Sequence, residues 1–296
     1  MSCVLITGIT GYIGSHLARA LLPEWEVYGL VREPLNLEYL EDIQEKIHFL
    51  FYSGTYESMS AAIQASQPDL VYHLATYYTG DHSPEHLVQL LNANIVLGSH
   101  LLEAMYVWKS PAMVYASTYA AHYQGEEYRP INLYAATKQA FSDLLAYYTD
   151  AGLLRAVTLV ISDTYGPKDH RPKVLNAAVR AARAGEKMSF SAGTQVYDIV
   201  YIDDVVSAFA LAGEQLCLGQ YQNGVFQIVS EAPLSLRETV EKMLHINHLT
   251  LNAGWGERPA AEREMTEALR LYPTVPGWIP RVSLEEGLSK LAEGGK

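Results

Sequence analysis

The sequence is poor in cysteine and has fewer basic than acidic residues. It contains only Cys3 and Cys217, which are far apart and outside any CxxC pattern. Two such cysteines cannot form a disulfide framework or a cysteine metal site, and they fit a reducing compartment. The 21 basic residues face 33 acidic ones, for a formal net charge of −12. A surface of this charge has no general attraction for nucleic acid or anionic membranes, so we expect neither partner.

Long apolar runs and repeats are also absent. No run approaches the roughly 18–20 apolar residues that a membrane-spanning helix needs. Val4-Leu5-Ile6 is typical of a buried strand and Gly8 follows at once, which leaves no room for an N-terminal targeting segment. These absences predict a cytoplasmic protein. The lack of repeats or low-complexity tracts excludes a solenoid.

What the chain does contain is the alternation of an α/β protein. Hydrophobic residues make up 49% of its 296 residues, enough for a sizeable core. In the first half, short β-rich runs alternate with longer amphipathic stretches, which is the pattern of a parallel sheet covered by helices on both faces. The expected strands are 3–7, 26–31, 47–51, 69–74, 112–117 and 155–161. Ser83-Pro84-Glu85 predicts a capped helix start, and a further helix is expected over about 132–150.

Beyond about residue 163 the elements become shorter and are separated by Gly and Pro, as in Gly166-Pro167. We therefore predict a Rossmann-type doubly wound parallel sheet over 1–163. The remainder, 164–296, is predicted to be a smaller α/β region that mainly binds substrate, with some segments returning to the sheet.

A glycine-rich turn follows the first expected strand. It runs Thr7-Gly8-Ile9-Thr10-Gly11-Tyr12-Ile13-Gly14 and opens into an amphipathic stretch. Glycines at these positions permit a tight turn, a close approach of backbone to a pyrophosphate, and helix-on-strand packing. The helix N-terminus adds unpaired N–H groups that attract an anion. In the order strand, turn, helix, this pattern predicts a dinucleotide site.

The spacing TGxxGxxG, together with several later motifs, resembles the extended short-chain dehydrogenases/reductases. These motifs are His73-Leu74-Ala75, Ser117-Thr118, Tyr134-Ala-Ala-Thr-Lys138, Asp163-Thr164-Tyr165-Gly166-Pro167 and Tyr201-Ile202-Asp203-Asp204. The resemblance covers nearly the whole chain. It implies an NAD(P)-dependent enzyme whose cofactor is bound by Gly8, Thr10, Gly11, Tyr12, Ile13, Gly14, Leu74, Ala75 and Lys138. Thr55 stands where the family often has an aspartate that holds the adenine.

The end of the second strand predicts the choice of cofactor. An acid there bonds the ribose hydroxyl of NAD, whereas an arginine pairs with the 2′-phosphate of NADP. This chain has Val31 in the acidic position and Arg32 after it. We therefore expect NADP(H) to be preferred, with NAD(H) as the alternative. The alternative interpretation is that Arg32 is only a solvated charge at the end of the strand, with no role in cofactor binding.

Tyr134 and Lys138 are four residues apart and would share one face of a helix. A phenol titrates near pH 10, and a nearby cation lowers that value toward neutrality. We expect Lys138 to lower the pKa of Tyr134 in this way, so that Tyr134 can exchange protons. By resemblance, Thr118 is the residue that hydrogen-bonds the reacting oxygen. Thr118, Tyr134 and Lys138 are thus the predicted catalytic residues.

The remaining pairs of polar residues are interpreted as structural and not as catalytic or metal-binding. The pairs His245/His248 and His82/His86 have no acidic or cysteine partner at ligand spacing, so no metal site is predicted. Asp203-Asp204 is expected to start a helix. Ser235-x-x-Glu238 is expected to form a capping box.

Extended members of the family mostly act on nucleotide-linked sugars. The acid pair of the dehydratases is replaced here by Tyr119 and Ala120, which disfavours dehydration. The segments 163–173 and 197–204 look most like the 4-keto-sugar reductases, a group that includes the CDP-abequose synthases. The resemblance therefore implies NADPH-dependent reduction of the 4-keto group of a nucleotide-linked deoxysugar. The expected substrate-binding residues are Thr76, Asp163, Lys173, Tyr197 and Arg258, with Lys173 and Arg258 as candidates for phosphate contacts.

Alternatives stay open at this point. They are an NAD-dependent nucleotide-sugar epimerase, a noncatalytic dinucleotide-sensing protein, and a reductase of a carbonyl compound that carries no nucleotide. The helices around 85–107 and 132–150 resemble a pair that often forms a four-helix dimer interface in the family, so a homodimer is expected.

Overall fold

The computed structural model describes residues 2–80 and 83–293 of the chain. Its strands are Ser2–Thr7 (β1), Trp25–Val31 (β2), His48–Phe51 (β3), Leu70–His73 (β4), Ala112–Thr118 (β5), Arg155–Ile161 (β6), Asp163–Tyr165 (β7), Lys187–Ser189 (β8), Val196–Tyr197 (β9), Ile199–Tyr201 (β10), Asn223–Ile228 (β11), Leu234–Ser235 (β12) and Asn252–Gly254 (β13). Its α-helices are Tyr12–Leu21 (α1), Tyr56–Ser66 (α2), Pro84–Leu91 (α3), Leu97–Trp108 (α4), Leu133–Asp150 (α5), Val174–Ala184 (α6), Ile202–Cys217 (α7), Leu236–Ile246 (α8) and Leu284–Glu293 (α9).

Seven strands form one parallel sheet in the order β11-β6-β5-β4-β1-β2-β3. The Rossmann-type fold expected from the sequence is confirmed, and so are its six predicted strands, each within a residue of its observed start and end. The chain moves outward from β1 in both directions. A crevice therefore opens between the carboxyl ends of β1 and β4, the place where α/β sheets of this kind bind ligands.

The sheet is buried on both faces because its strands are apolar throughout. Neighbouring residues of a strand point to opposite faces, so Val4 and Ile6 enter one core cluster and Leu5 enters the other. Helices α2, α4 and α5 cover the Leu5 face, while α1 and α7 cover the opposite one. This packing fixes both the phosphate turn before α1 and the start of α5 relative to the sheet.

The C-terminal part forms three small two-stranded sheets, β10 with β7, β12 with β9 and β13 with β8. It also contributes β11, which pairs with β6 at the edge of the main sheet. The division at residues 163 and 164 stays a prediction. Within residues 2–80 and 83–293, no helix has the length and apolar character needed to span a membrane.

Two of the three expected helix starts have the predicted chemistry. Ser235 and Glu238 form a reciprocal capping box at α8, and Asp203-Asp204 lies in the first turn of α7. Ser83 does precede α3, but its hydroxyl makes no capping bond and lies buried without a hydrogen-bond partner among the described residues. The expectation of a side-chain cap there was wrong. Pro84 reduces the need for such a cap, because proline has no backbone N–H in the first turn that must find a partner.

Both cysteines are free thiols, Cys3 buried and Cys217 exposed. Among the residues described, no three His, Cys, Asp or Glu side chains cluster closely enough to hold a metal ion. His82 lies outside the described residues. Its sequence neighbour His86 is joined to the Tyr77 hydroxyl through Nδ1, at 2.7 Å.

Candidate active site

The phosphate turn between β1 and α1 is shaped by its glycines. Gly8 has a φ of +74°, and a Cβ built there would lie 2.7 Å from the amide nitrogen of Ala75. A Cβ on Gly14 would lie 2.3 Å from the Gly8 carbonyl oxygen. Only glycine fits at either position. Gly11 caps α1 without any side-chain bond, so the first N–H groups of the helix are left for an anionic ligand.

The ends of β1 and β4 are tied together beside this turn. The Thr7 hydroxyl accepts the Ala75 N–H at 3.1 Å and is joined to Nδ1 of His73 at 2.8 Å. Burial lowers the pKa of His73 to about 3, so the ring is neutral. Leu74 donates its N–H to the Thr7 carbonyl at 3.2 Å. Leu74 and Ala75 are thus held at the edge of the crevice, where the sequence places a cofactor contact.

Arg32 and Thr55, two further candidates for cofactor binding, differ in whether their polar groups are already hydrogen-bonded. Arg32 is exposed at the end of β2, and its guanidinium has no hydrogen bond or ion pair within the described part of the chain. Thr55 is the N-cap of α2, where its hydroxyl accepts the Ser58 N–H at 3.3 Å. Arg32 is therefore available to an anion, whereas the Thr55 hydroxyl is already used by the helix.

Tyr12 has a packing role besides its place in the turn. It is only 2% exposed, and its hydroxyl donates to the Pro167 carbonyl at 3.0 Å. The Arg171 guanidinium lies 4.8 Å from its ring centre. Tyr12 therefore connects the first turn of α1 to the loop after β7. The half-buried Thr10 and Ile13 complete the turn.

Tyr134 meets two hydroxyl groups at the carboxyl edge of the sheet. Asn132 fixes the start of α5, accepting the Ala135 N–H at 2.9 Å, and places Tyr134 in the first turn. The hydroxyls of Thr76, after β4, and Thr118, at the end of β5, lie close enough to the Tyr134 hydroxyl to act on its pKa. Burial raises the pKa of Tyr134 to about 12, and the two hydroxyls oppose this rise only in part. The phenol is therefore protonated at neutral pH.

Lys138 lies one turn further along α5 and does not lower the pKa of Tyr134 as the sequence predicts. Its side chain is buried, and its ammonium sits 4.4 Å from the ring centre of Tyr115. Within the described residues this ammonium has no hydrogen-bond or carboxylate partner. Burial lowers the pKa of Lys138 to about 7. The expectation fails because sequence spacing gives the shared face but not the depth at which the amine is buried.

The sequence analysis missed Asn94. This side chain is buried in a π-turn, Asn92–Val96, that joins α3 to α4. Its Nδ2 donates to the Thr137 hydroxyl at 2.9 Å and to the Tyr77 carbonyl at 3.1 Å. Its Oδ1 accepts the Tyr77 N–H at 2.8 Å and the Thr76 hydroxyl at 2.9 Å. Asn94 thereby positions the Thr76 that contacts Tyr134.

A signal for Asn94 existed in the sequence. Asn94 directly precedes the apolar run Ile95-Val96-Leu97, and an asparagine that is buried with such a run must find hydrogen-bond partners. Single π-turns inside helices are also frequent at functional sites.

Of the expected substrate residues, Arg258 stands apart from the others because it is exposed on a separate segment. The Lys173 ammonium pairs with Asp163 at 2.5 Å. Burial, together with the charge of Asp163, raises the pKa of Tyr197 well above its ordinary value. Thr76 and Asp163 act on the Tyr134 hydroxyl. The Lys173 ammonium lies over the ring of Tyr78, which contacts Tyr134. Arg258 is exposed on the segment after β13, and no hydrogen bond or ion pair of the described residues joins its guanidinium to them.

Tyr197 also lines a cavity of about 450 Å³, together with Tyr165, Tyr201 and Arg281. Neither Tyr134 nor Lys138 belongs to its lining. The candidate catalytic residues therefore lie outside this cavity.

Residues 4–225 match the family model described as the NAD dependent epimerase/dehydratase family. The chain belongs to this family. The resemblance to the extended short-chain dehydrogenases/reductases is thus confirmed, as is the expectation of a nicotinamide-linked enzyme. The glycine cradle, the open N-terminus of α1 and the unpartnered Lys138 fit the dinucleotide that the family requires.

Curated relatives include the CDP-abequose synthases of Yersinia pseudotuberculosis and Salmonella muenchen. The first is 26% identical over 258 residues, covering 86% of this chain and 87% of the relative. The second is 24% identical over 293 residues, covering 97% and 96%.

Solved structures of the same fold include UDP-glucose 4-epimerase of Thermus thermophilus in complex with NAD. It has a TM-score of 0.83 and 24% identity, with 99% of this chain and 98% of that chain covered. UDP-glucuronic acid 4-epimerase of Bacillus cereus has a TM-score of 0.85 and 20% identity, with 98% of each chain covered. At these identities the likeness establishes the fold of the chain.

Proposed function

We propose that the protein is an NADPH-dependent reductase of the 4-keto group of a nucleotide-linked deoxysugar. The observation that carries the proposal is the Tyr134 hydroxyl, placed by the start of α5 near the hydroxyls of Thr76 and Thr118, with its pKa raised to about 12. A phenol that keeps its proton at neutral pH is suited to donate it to a developing alkoxide. The names of the relatives, CDP-abequose synthases among them, supply the nucleotide-sugar class.

Three side chains divide the chemistry. When bound, the dinucleotide would supply the hydride for the carbonyl carbon. Tyr134 gives its proton to the carbonyl oxygen, and Thr118 holds that oxygen in place through its hydroxyl. Lys138 binds the hydroxyls of the nicotinamide ribose, which would give the unpaired ammonium the partners it lacks. Catalysis then arises from alignment and from polar groups that are already in position.

Selection of NADP(H) over NAD(H) is proposed to rest on Arg32. Val31 ends β2 buried, and the exposed Arg32 that follows has no competing partner among the described residues. A free guanidinium can form charge-assisted bonds with a 2′-phosphate.

On the substrate side, Asp163 and Thr76 are proposed to contact the sugar, and Tyr197 to complete that wall. Lys173 is engaged by Asp163, so a phosphate contact would require it to exchange partners. Arg258, exposed and unpaired within the described residues, is the proposed diphosphate contact. By resemblance, many epimerases of the family have an arginine at the position of Tyr197 that grips the diphosphate, and the charge of Arg258 would offset its absence.

The second candidate function is a nucleotide-sugar 4-epimerase. The names of structural neighbours favour it, since several are epimerases solved with NAD. An epimerase, however, keeps its nicotinamide bound through a full cycle of oxidation and reduction, and by resemblance such enzymes commonly hold NAD through an acid after the second strand. This chain has Val31 and Arg32 there, which favours an exchangeable NADPH and therefore the reductive direction.

We also propose a homodimer formed through the helices of 85–107, α3 and α4, together with α5. Helices α3 and α5 expose large apolar side chains: Leu87, Val88 and Leu91 on α3, with Leu144 and Tyr147 on α5. An exposed apolar surface of this kind is typical of an interaction site.

The test measures NADPH absorbance with CDP- and dTDP-linked 4-keto-6-deoxyglucose. We expect stoichiometric NADPH consumption by the wild type. Tyr134→Phe should abolish turnover and leave the Kd for NADPH within twofold, because it deletes only the proton donor. Isomerisation of nucleotide sugars without net NADPH consumption would establish the epimerase instead. Tight cofactor binding without turnover of either compound would support a dinucleotide-sensing protein.

A further inference from the structure

Tyr78 is a large aromatic residue that is exposed inside the candidate site. Its exposed fraction is 61%, although it belongs to the segment between β4 and α3 that also carries Thr76. Its ring centre lies 4.9 Å from that of Tyr134, with the two planes 80° apart. An exposed ring next to a proposed proton donor is a surface that a substrate would meet.

The position of the Tyr78 ring is fixed by more than its contact with Tyr134. The Lys173 ammonium lies 5.7 Å from the centre of the ring, and Lys173 is itself tied to Asp163 at 2.5 Å. A cation near an aromatic face is attracted by the ring quadrupole. Tyr78 is thus held between the phenol of Tyr134 and an ion pair, in an orientation set before any ligand binds.

Several polar groups act on the Tyr134 hydroxyl. They are the hydroxyls of Thr76 and Thr118 and the carboxylate of Asp163. A hexopyranose has hydroxyl groups at its edges and an apolar face of C–H groups. Its binding site therefore needs both polar groups and an apolar surface. The polar groups can serve the hydroxyls, and Tyr78 offers an exposed aromatic face for the C–H groups.

We propose that Tyr78 determines substrate specificity by stacking its ring on the apolar face of the sugar whose carbonyl carbon is placed beside Tyr134. The proposal rests on the proposed function, because it takes the sugar of a nucleotide sugar as the occupant. The ring, and not the phenolic hydroxyl, does the recognition. Tyr78 has no part in the proton transfer.

The proposal is tested with Tyr78→Phe, which keeps the ring, and Tyr78→Ala, which removes it. The matched control is Tyr128→Ala, since Tyr128 is also an exposed tyrosine, at 53%, outside the Tyr134 group. The probes are CDP- and dTDP-linked 4-keto-6-deoxyglucose with saturating NADPH, and NADPH alone for cofactor binding. Thermal unfolding of each variant checks that it is folded.

We expect Tyr78→Ala to raise KM at least tenfold, with kcat changed less than threefold and the Kd for NADPH unchanged. Tyr78→Phe and Tyr128→Ala should keep KM within twofold of the wild type. An unchanged KM for Tyr78→Ala would overturn the proposal, and so would an equal loss in Tyr78→Phe, which would assign the effect to the hydroxyl. A weaker Kd for NADPH with KM unchanged would place the ring on the cofactor side.

The two proposals fail in different ways. If the wild type reduces a probe and Tyr78→Ala reduces it equally well, the specificity role is lost and the reductase function stands. If the wild type reduces neither probe, the proposed function is contradicted, and the role of Tyr78 falls with it.

Discussion

Replacing Lys138 with methionine should stabilise the cofactor-free fold while abolishing turnover. Lys138 is 2% exposed, and its ammonium, 4.4 Å from the Tyr115 ring centre, has no hydrogen bond or ion pair in the described part of the chain. Burial lowers its pKa from 10.5 to about 7. At about 1.4 kcal/mol per pH unit, this difference corresponds to roughly 4 kcal/mol of stability lost at pH 7. Methionine fills similar space without the charge, so most of that free energy should be recovered.

The pH dependence distinguishes this cause from simple packing. The unfolded chain keeps the Lys138 proton up to about pH 10.5, and the folded chain keeps it only up to about pH 7. The unfolded state therefore binds more protons in this interval, and wild-type stability rises with pH. From pH 7 to pH 9 the gain from this group should be about 2 kcal/mol. Lys138→Met should lack this gain.

The assay is urea unfolding of the cofactor-free protein at pH 7 and pH 9, with NADPH oxidation measured in parallel. The control is Lys290→Met, because Lys290 is exposed on α9 and pairs with Glu286 at 2.6 Å. An exposed pair contributes little, so this variant should stay within about 0.5 kcal/mol of the wild type and keep its pH slope. If Lys138→Met is less stable than the wild type at pH 7 and has the same slope, the buried ammonium is not the source of the instability.

Three further outcomes are expected. Asn94→Leu should lower the free energy of unfolding by about 2–6 kcal/mol, because two backbone groups of Tyr77 lose their partners at about 1–3 kcal/mol each. The control is Asn92→Leu at an exposed position of the same turn, which should change the free energy of unfolding by less than about 0.5 kcal/mol. Equal losses in the two variants would contradict the reasoning. Arg32→Ala should weaken the Kd for NADPH at least tenfold and leave that for NADH within twofold; unchanged discrimination would remove Arg32 from the site. Light scattering should give a dimer mass for the wild type and a monomer mass for Val88→Glu, whereas a wild-type monomer at micromolar concentration would refute the interface.

The parallel sheet could be predicted because strands buried on both faces are apolar throughout. Val4-Leu5-Ile6 and the run that forms β5 are of this kind. β11 was not among the predicted strands, since only its last two residues are fully buried and its first four alternate between exposed and half-buried. At the sheet edge a strand has fewer apolar residues, so the apolar signal weakens.

Within the candidate site, the sequence indicated residue types more reliably than environments. The spacing of Tyr134 and Lys138 correctly gave two side chains on one helix. It could not give the burial that raises the pKa of Tyr134 and lowers that of Lys138. The same holds for Thr55, whose hydroxyl is taken by a local helix cap, and for the π-turn at Asn94. The burial of Tyr134 and Lys138 and the contacts of Asn94 depend on packing between distant segments, which short sequence patterns do not contain.

The pairing of β11 with β6 has a consequence for any attempt to divide the chain. Asn223–Ile228 runs alongside Ala156–Ile161 over six residue pairs, although the two strands belong to halves that are expected to bind different ligands. A fragment ending at residue 163 would leave the backbone of β6 with unpaired N–H and C=O groups along one side. Such an edge can pair with another chain, so the fragment should aggregate. Exchanging the C-terminal half with that of a relative would therefore graft a sheet strand as well as a binding surface. Chimeras should retain a matching partner for β6.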